Sequence, residues 1–176
     1  IAIARGVNEG SQAVTAEVRM GDVIDPDDID IYRNLAGGVT AIQQLHGSAN
    51  PIGGQSSLVK LRWGLGADAF PIVGAPGFIK FALGENVKQS NWNSDGRRFP
   101  QTRMGVEQVM YDGFHRARTY AEKWRFHDEL KPKEKETALV PRRDLELDAL
   151  AEILAGKRFI SCHSYVQSEV DMLMHV

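Results

Sequence analysis

Apolar and polar positions change period several times along the chain, and each change marks an element. Over residues 101–130, Val106, Val109, Met110, Gly113, Ala117, Ala121 and Trp124 recur at steps of three and four, the signature of one face of a long helix. A shorter run of the same period, Ile29, Tyr32, Leu35 and Ala36, follows Asp25-Pro26-Asp27-Asp28. Asp25 is the expected N-cap there, Pro26 suits the first helical position, and Gly37-Gly38 closes the helix. Asp144 opens another helix, with Leu147, Leu150, Ala151 and Leu154 on one side and Gly156 as its stop. A last helical stretch runs over 167–174.

Between these lie short apolar runs that predict strands near 39–45, 57–62, 77–83 and 159–163. Strands alternating with helices predict an α/β fold with a parallel sheet, whose strands are buried on both faces and so read as continuous apolar runs. The pattern fits a doubly wound sheet and a (β/α) barrel equally well. Residues 11–20 read as a helix or an irregular excursion. Residues 88–100, polar apart from Trp92 and Phe99, read as a long surface loop of the kind that often carries function.

Composition narrows the partners. Of the 176 residues 43% are hydrophobic and 25% charged, the balance of a globular chain, and the formal net charge is only −2. Nothing in that balance calls for nucleic acid or an anionic membrane as partner. No apolar stretch approaches the roughly 20 residues of a membrane helix. The single cysteine, Cys162, sits in an apolar run and is expected to be a buried thiol. A lack of disulfides fits the cytoplasm without excluding the periplasm, so localisation stays open.

In parallel β/α folds the active groups gather at the C-terminal ends of strands, and His46, Lys80 and His163 stand at such positions. His163 closes the strand Phe159-Ile160-Ser161-Cys162; it reads as a metal ligand or as a hydrogen-bonded core histidine. Lys80 lies within Phe78-Ile79-Lys80-Phe81-Ala82-Leu83, where a charge is costly unless neutralised or paired. Carbamylation by CO₂, an ion pair with Glu85 and a snorkelling side chain all resolve that cost. The glycine-rich loop from His46 to Gln55 lacks the order of a phosphate-binding loop. Ser48, Ser161 and Ser164 lack the G-x-S-x-G setting of a serine hydrolase.

Five stretches together carry a resemblance: Arg5-Gly6-Val7-Asn8-Glu9-Gly10, Ala36-Gly37-Gly38-Val39-Thr40-Ala41, His46-Gly47-Ser48-Ala49-Asn50-Pro51-Ile52-Gly53-Gly54-Gln55, Ile79-Lys80-Phe81-Ala82-Leu83-Gly84-Glu85-Asn86 and Ile160-Ser161-Cys162-His163-Ser164-Tyr165. The chain resembles the amidohydrolase superfamily, in its imidazolonepropionase-related branch. That resemblance implies a metal-dependent (β/α)₈ TIM barrel, of which residues 1–176 would be an interior fragment, about strands 2 to 5. The H-x-H pair of strand 1 and the ligands of strands 6 to 8 are absent from this sequence. The resemblance implies His163 as the strand 5 metal ligand and Lys80, with Glu85 second, as the strand 4 ligand. It places His46, Asn50, Gln55 and Tyr165 as substrate-binding candidates. The implied cofactor is a divalent metal, zinc first, with one or two ions in the intact enzyme. The implied reaction is hydrolysis of a C–N bond in a small-molecule amide, cyclic amide or peptide. Two rival readings stand beside it, a non-catalytic β/α binding module and a pseudo-enzyme that has lost its ligands. A piece of barrel with open sheet edges is also expected to self-associate and to lack activity alone.

Overall fold

The computed structural model describes residues 7–91 and 98–176. Arg5, Gly6 and Trp92, singled out above, lie outside them. Four strands, β1 (Ala41–Gln44), β2 (Ile52–Lys60), β3 (Gly77–Ala82) and β4 (Arg158–His163), form one sheet in the order β1-β2-β3-β4. The helices are α1 (Ile29–Ala36), α2 (Arg103–Glu129), the single turn α3 (Pro132–Lys135), α4 (Leu145–Leu154) and α5 (Gln167–His175). Among the described residues no helix is long and apolar enough to cross a membrane.

The sheet is mixed, which corrects the expectation of a wholly parallel one. β1 and β3 each run antiparallel to β2, and only β3 and β4 are parallel. The cause is the connections. A parallel return needs a crossover, usually a helix. β1 and β2 are joined by residues 45–51, and β2 and β3 by residues 61–76, which hold only the short 3-10 turn Ala67–Ala69. The route from β3 to β4 holds α2, α3 and α4, so that pair closes in parallel.

The glycine-rich loop also ends earlier than its composition suggests, because Ile52-Gly53-Gly54-Gln55 is the first part of β2. These glycines serve close backbone approach rather than a turn. A Cβ on Gly53 would lie 2.7 Å from His46 Nδ1, and one on Gly54 would lie 2.6 Å from Val18 Cγ2. Residues 13–19 run beside this half of β2 as an irregular segment. Thr15 N–H donates to Ile52 O, Ile52 N–H to Ala13 O and Gln55 N–H to Val18 O.

Helix boundaries follow local chemistry. α1 begins later than Asp25 predicts: its cap is Asp28, whose side chain accepts from Asp30 N–H, while Asp25 accepts from Asp27 N–H one turn earlier. Asp144 caps α4 as expected, accepting from Leu147 N–H at 3.1 Å. Gly38 and Gly156, with φ of 90° and 68°, end α1 and α4 in a conformation that glycine adopts without strain.

Ile52, Ile79 and Phe81 are wholly buried with Met110, Ala117 and Leu150 of the covering helices. Phe81 and Phe114 stack at 6.0 Å, and a Cβ on Gly113 would meet Ile52 Cδ1 at 3.0 Å, so that glycine lets α2 lie close to the sheet. Burying each large apolar side chain contributes about 1.5–3 kcal/mol. Tyr120 joins the helices, donating to Asp148 Oδ1 at 2.7 Å.

Candidate functional site

Strand alternation sends Phe78, Lys80 and Ala82 to the face opposite Ile79 and Phe81. The β3–β4 register pairs Phe78 with Phe159, Lys80 with Ser161 and Ala82 with His163, so all six share that face. Gln43, on the far edge strand, donates from Nε2 to Ser161 Oγ at 3.3 Å. A contact between the two outermost strands means that the sheet curls around this face.

Ser48, set aside in the sequence for want of a nucleophile motif, is the hub of the site. Lys80 Nζ donates to Ser48 Oγ at 2.9 Å and to His46 O at 3.3 Å. His163 Nδ1 lies 2.8 Å from the same Ser48 Oγ. The lysine nitrogen and the imidazole nitrogen are therefore two hydrogen bonds apart. Lys80 is only 8% exposed and forms no salt bridge among the described residues. Burial lowers its pKa from the ordinary lysine value. A buried lysine with two neutral partners is under-satisfied, and its neutral amine is the form that burial favours.

The loop presenting Ser48 is tied down on all sides. His46 Nε2 accepts from Glu9 N–H at 2.7 Å, and its Nδ1 lies 2.9 Å from Gly47 O, which places the proton of the neutral ring on Nδ1. Burial, with a smaller push from Lys80, holds the His46 pKa below the ordinary imidazole value against the opposing pull of Gly47 O and Glu9. Asn50, 1% exposed, donates to Glu9 O at 2.6 Å, Gln12 O at 3.1 Å and Thr15 Oγ1 at 2.8 Å. Arg98 donates to Gly10 O, Gln12 O and Ala49 O. Gly47 N–H donates to Val7 O and Ala49 N–H to Asn8 Oδ1. Those two amides are therefore engaged within the fold.

The structure thus sorts the expected site residues. Lys80 and His163 come together. His46 is adjacent, but its carbonyl faces Lys80 while its ring is spent within the loop. Asn50 and Gln55 hold the N-terminal segment, Gln55 by donating to Ala16 O at 2.9 Å. Tyr165 packs its ring edge-on against His163, with centroids 4.7 Å apart, and donates to Asn86 Oδ1. It crosses the end of β3 at Gly84, whose φ of 75° and lack of Cβ leave room for the ring. Glu85 faces other partners: Lys88 at 2.7 Å, Arg103 at 3.1 Å and Asn91 at 3.1 Å. Those bonds hold its carboxyl below the usual range, the Lys88 bond foremost.

Cys162 is exposed on the edge strand instead of buried. Desolvation by its surroundings nonetheless pushes the thiol up to about 11, against the pull of Lys80, so it is a thiol at neutral pH. Among the described residues no group of three or more His, Cys, Asp or Glu side chains could hold a metal ion.

Comparison with known proteins gives two likenesses. No protein-family model matches the chain. It is 30% identical over 183 residues to "Amidohydrolase tasK" of Hapsidospora irregularis, a match covering 95% of this chain and 18% of that protein. It superposes on the crystal structure of an amidohydrolase from Thermotoga maritima MSB8 with a TM-score of 0.82 and 30% identity, over 96% of this chain and 41% of that one. The chain therefore spans less than half the length of either protein. Both likenesses support an amidohydrolase-like family.

Proposed function

We propose that the chain forms part of the catalytic face of a metal-dependent hydrolase that cleaves a C–N bond of an amide, cyclic amide or peptide. In this reading residues 1–176 are an interior part of a (β/α)₈ barrel of the imidazolonepropionase-related branch, and further ligands come from elsewhere in a longer protein. The observation that carries it is the Lys80–Ser48–His163 row on one face of two parallel strands, with the buried lysine unpaired by any carboxylate among the described residues.

The donor chemistry fits a divalent ion such as zinc. His163 Nδ1 and Lys80 Nζ both reach Ser48 Oγ, and Lys80 as a carbamate would supply carboxylate-like oxygen on the same face. When bound, such an ion would make a coordinated water acidic near neutrality and polarise a substrate carbonyl. The chain's own residues supply position. The ring of Tyr165 limits rotation of His163, and His46 O with Ser48 holds the Lys80 head group in place. The Phe78 and Phe159 rings, 5.6 Å apart, supply apolar surface on the same face. Gln43 and Ser161 offer neutral donors to a bound substrate.

The test is metal analysis of the full-length protein. One or two tightly held divalent ions, lost in Lys80→Ala and His163→Asn together with chelator-sensitive amide hydrolysis, are the expected result. A full-length protein that binds no divalent ion, or both variants retaining full metal content, overturns the reading.

A further inference from the structure

Ser48 sits between the two side chains on which the proposed function rests, and the polarity of its bonds gives it a task of its own. An ammonium group only donates, so Ser48 Oγ accepts from Lys80 Nζ. With the ring proton on Nε2, the one hydroxyl hydrogen points at His163 Nδ1, 2.8 Å away. In that tautomer Nδ1 is the acceptor and its lone pair is occupied.

Carbamylation reverses this polarity. The Lys80 ammonium first gives one proton to water; the freed Nζ lone pair attacks the carbon of CO₂, an N–C bond forms, one C=O π pair moves to oxygen, and a second proton passes from nitrogen to water. A donor head group has become one with two acceptor oxygens. The hydroxyl hydrogen turns to the carbamate, where a charge-assisted bond is stronger than one to neutral imidazole, and Nδ1 is uncovered.

We infer that Ser48 is a positioning residue that couples the two ligands: with the ring proton of His163 on Nε2, it caps Nδ1 while Lys80 is an uncarbamylated, donating ammonium and releases it when Lys80 becomes a carbamate. This rests on the proposed metal-site reading of Lys80 and His163. The fixed loop makes the coupling possible. Ser48 is flanked by Gly47, bonded to Val7, and Ala49, bonded to Asn8 and Arg98, so the hydroxyl can rotate while its oxygen stays in place.

The experiment uses metal-free full-length protein, labelled with ¹⁵N-histidine and titrated with ¹³C-bicarbonate, as wild type, Ser48→Ala and Ser48→Thr. His163→Asn assigns the ring signals. In the wild type the Nδ1 signal should begin at a hydrogen-bonded position and move to that of a free lone pair as the carbamate carbon signal grows. Ser48→Ala should begin at the free position, stay there, and need about tenfold more bicarbonate for the same carbamate signal, the loss of one hydrogen bond to a charged group. Ser48→Thr keeps the hydroxyl and should follow the wild type. A carbamate signal with the same Nδ1 response in Ser48→Ala as in wild type overturns the role of Ser48 alone. No carbamate signal in the wild type overturns the Lys80 reading beneath it, and the coupling with it.

Discussion

The two faces of β3 differ by one residue in sequence and by everything in their chemistry. Ile79 and Phe81 point to the helices, wholly buried among Met110, Phe114 and Leu150. Lys80, between them, points into a row of hydroxyl, imidazole and carbonyl groups. One face is held by area removed from water, in proportion to what is buried. The other is held by a few directed bonds, each of which must be satisfied. The period of two along a strand thus separates the residues that stabilise the fold from those that would do chemistry, and substitutions on each face should report differently.

The largest effect is expected on the helix side. Phe81→Ala removes a fully buried ring that contacts Phe114 and should destabilise the protein by about 3–5 kcal/mol, read as a lower denaturant midpoint. A loss below about 1 kcal/mol would mean that the helices do not pack on β3 as described.

Asn50 comes next, and it lies where sequence pointed to substrate. Its amide hydrogens serve three acceptors in the N-terminal segment, so Asn50→Ala should cost about 1–3 kcal/mol through the carbonyls left bare. If the full-length protein has the proposed hydrolase activity, the KM of the variant should stay near wild type. A raised KM with unchanged stability would restore Asn50 as a substrate contact.

Lys80→Met inverts the pattern. Replacing an under-satisfied buried cation by an apolar chain of similar length should leave stability unchanged or raise it by about 1–2 kcal/mol, while abolishing metal retention. A large destabilisation would show that Lys80 is a structural strut, and its site assignment would fall.

This contrast also explains what could be read in the sequence. The helix-facing side was legible because apolar period and caps act locally: α2, α4 and α5, the Asp144 cap and the Gly38 and Gly156 stops all follow from neighbours a few residues apart. Lys80 and His163 stood out because a charge and an imidazole are conspicuous in apolar strands. Strand direction was not read correctly, although the short, helix-poor links at 45–51 and 61–76 were in plain view. Ser48 was missed because a serine in a glycine-rich turn is unremarkable until loop and strand meet, and that meeting depends on His46, Asn50 and Arg98 reaching residues 37, 41 and 49 positions away. The start of β2 was hidden for a related reason: Gly53 answers to His46 across the intervening turn and Gly54 to Val18, which is distant in sequence.

His46 gives a pH-dependent contrast. Its folded pKa is depressed by burial, so between that value and the ordinary one near about 6.5 the unfolded chain binds more protons. Stability should therefore fall as pH drops below about 6.5, with a slope of at most about 1.4 kcal/mol per pH unit from this group. Subtracting the same denaturant series for His46→Gln isolates the contribution. Identical pH slopes in the two proteins would show that the ring is not held neutral by the loop.

The smallest effect separates the two strand 4 candidates. Glu85 is an exposed carboxylate held low by Lys88 first, then by Asn91 and Arg103, and its links run along the surface to α2. A carboxyl with a depressed folded pKa contributes stability above its unfolded value, and that contribution is lost as pH falls through the folded one. Glu85→Gln should therefore be slightly less stable than wild type at neutral pH and equal to it in acid, and the difference should shrink in high salt, as for any solvent-screened pair. Metal content and the bicarbonate-dependent carbamate signal should not change, because its bonds lie away from the Lys80–Ser48–His163 row. If Glu85→Gln instead empties the metal site while Lys80→Met leaves it filled, the polar face of β3 is not the ligand face, and the assignment passes from the strand to the turn that follows it.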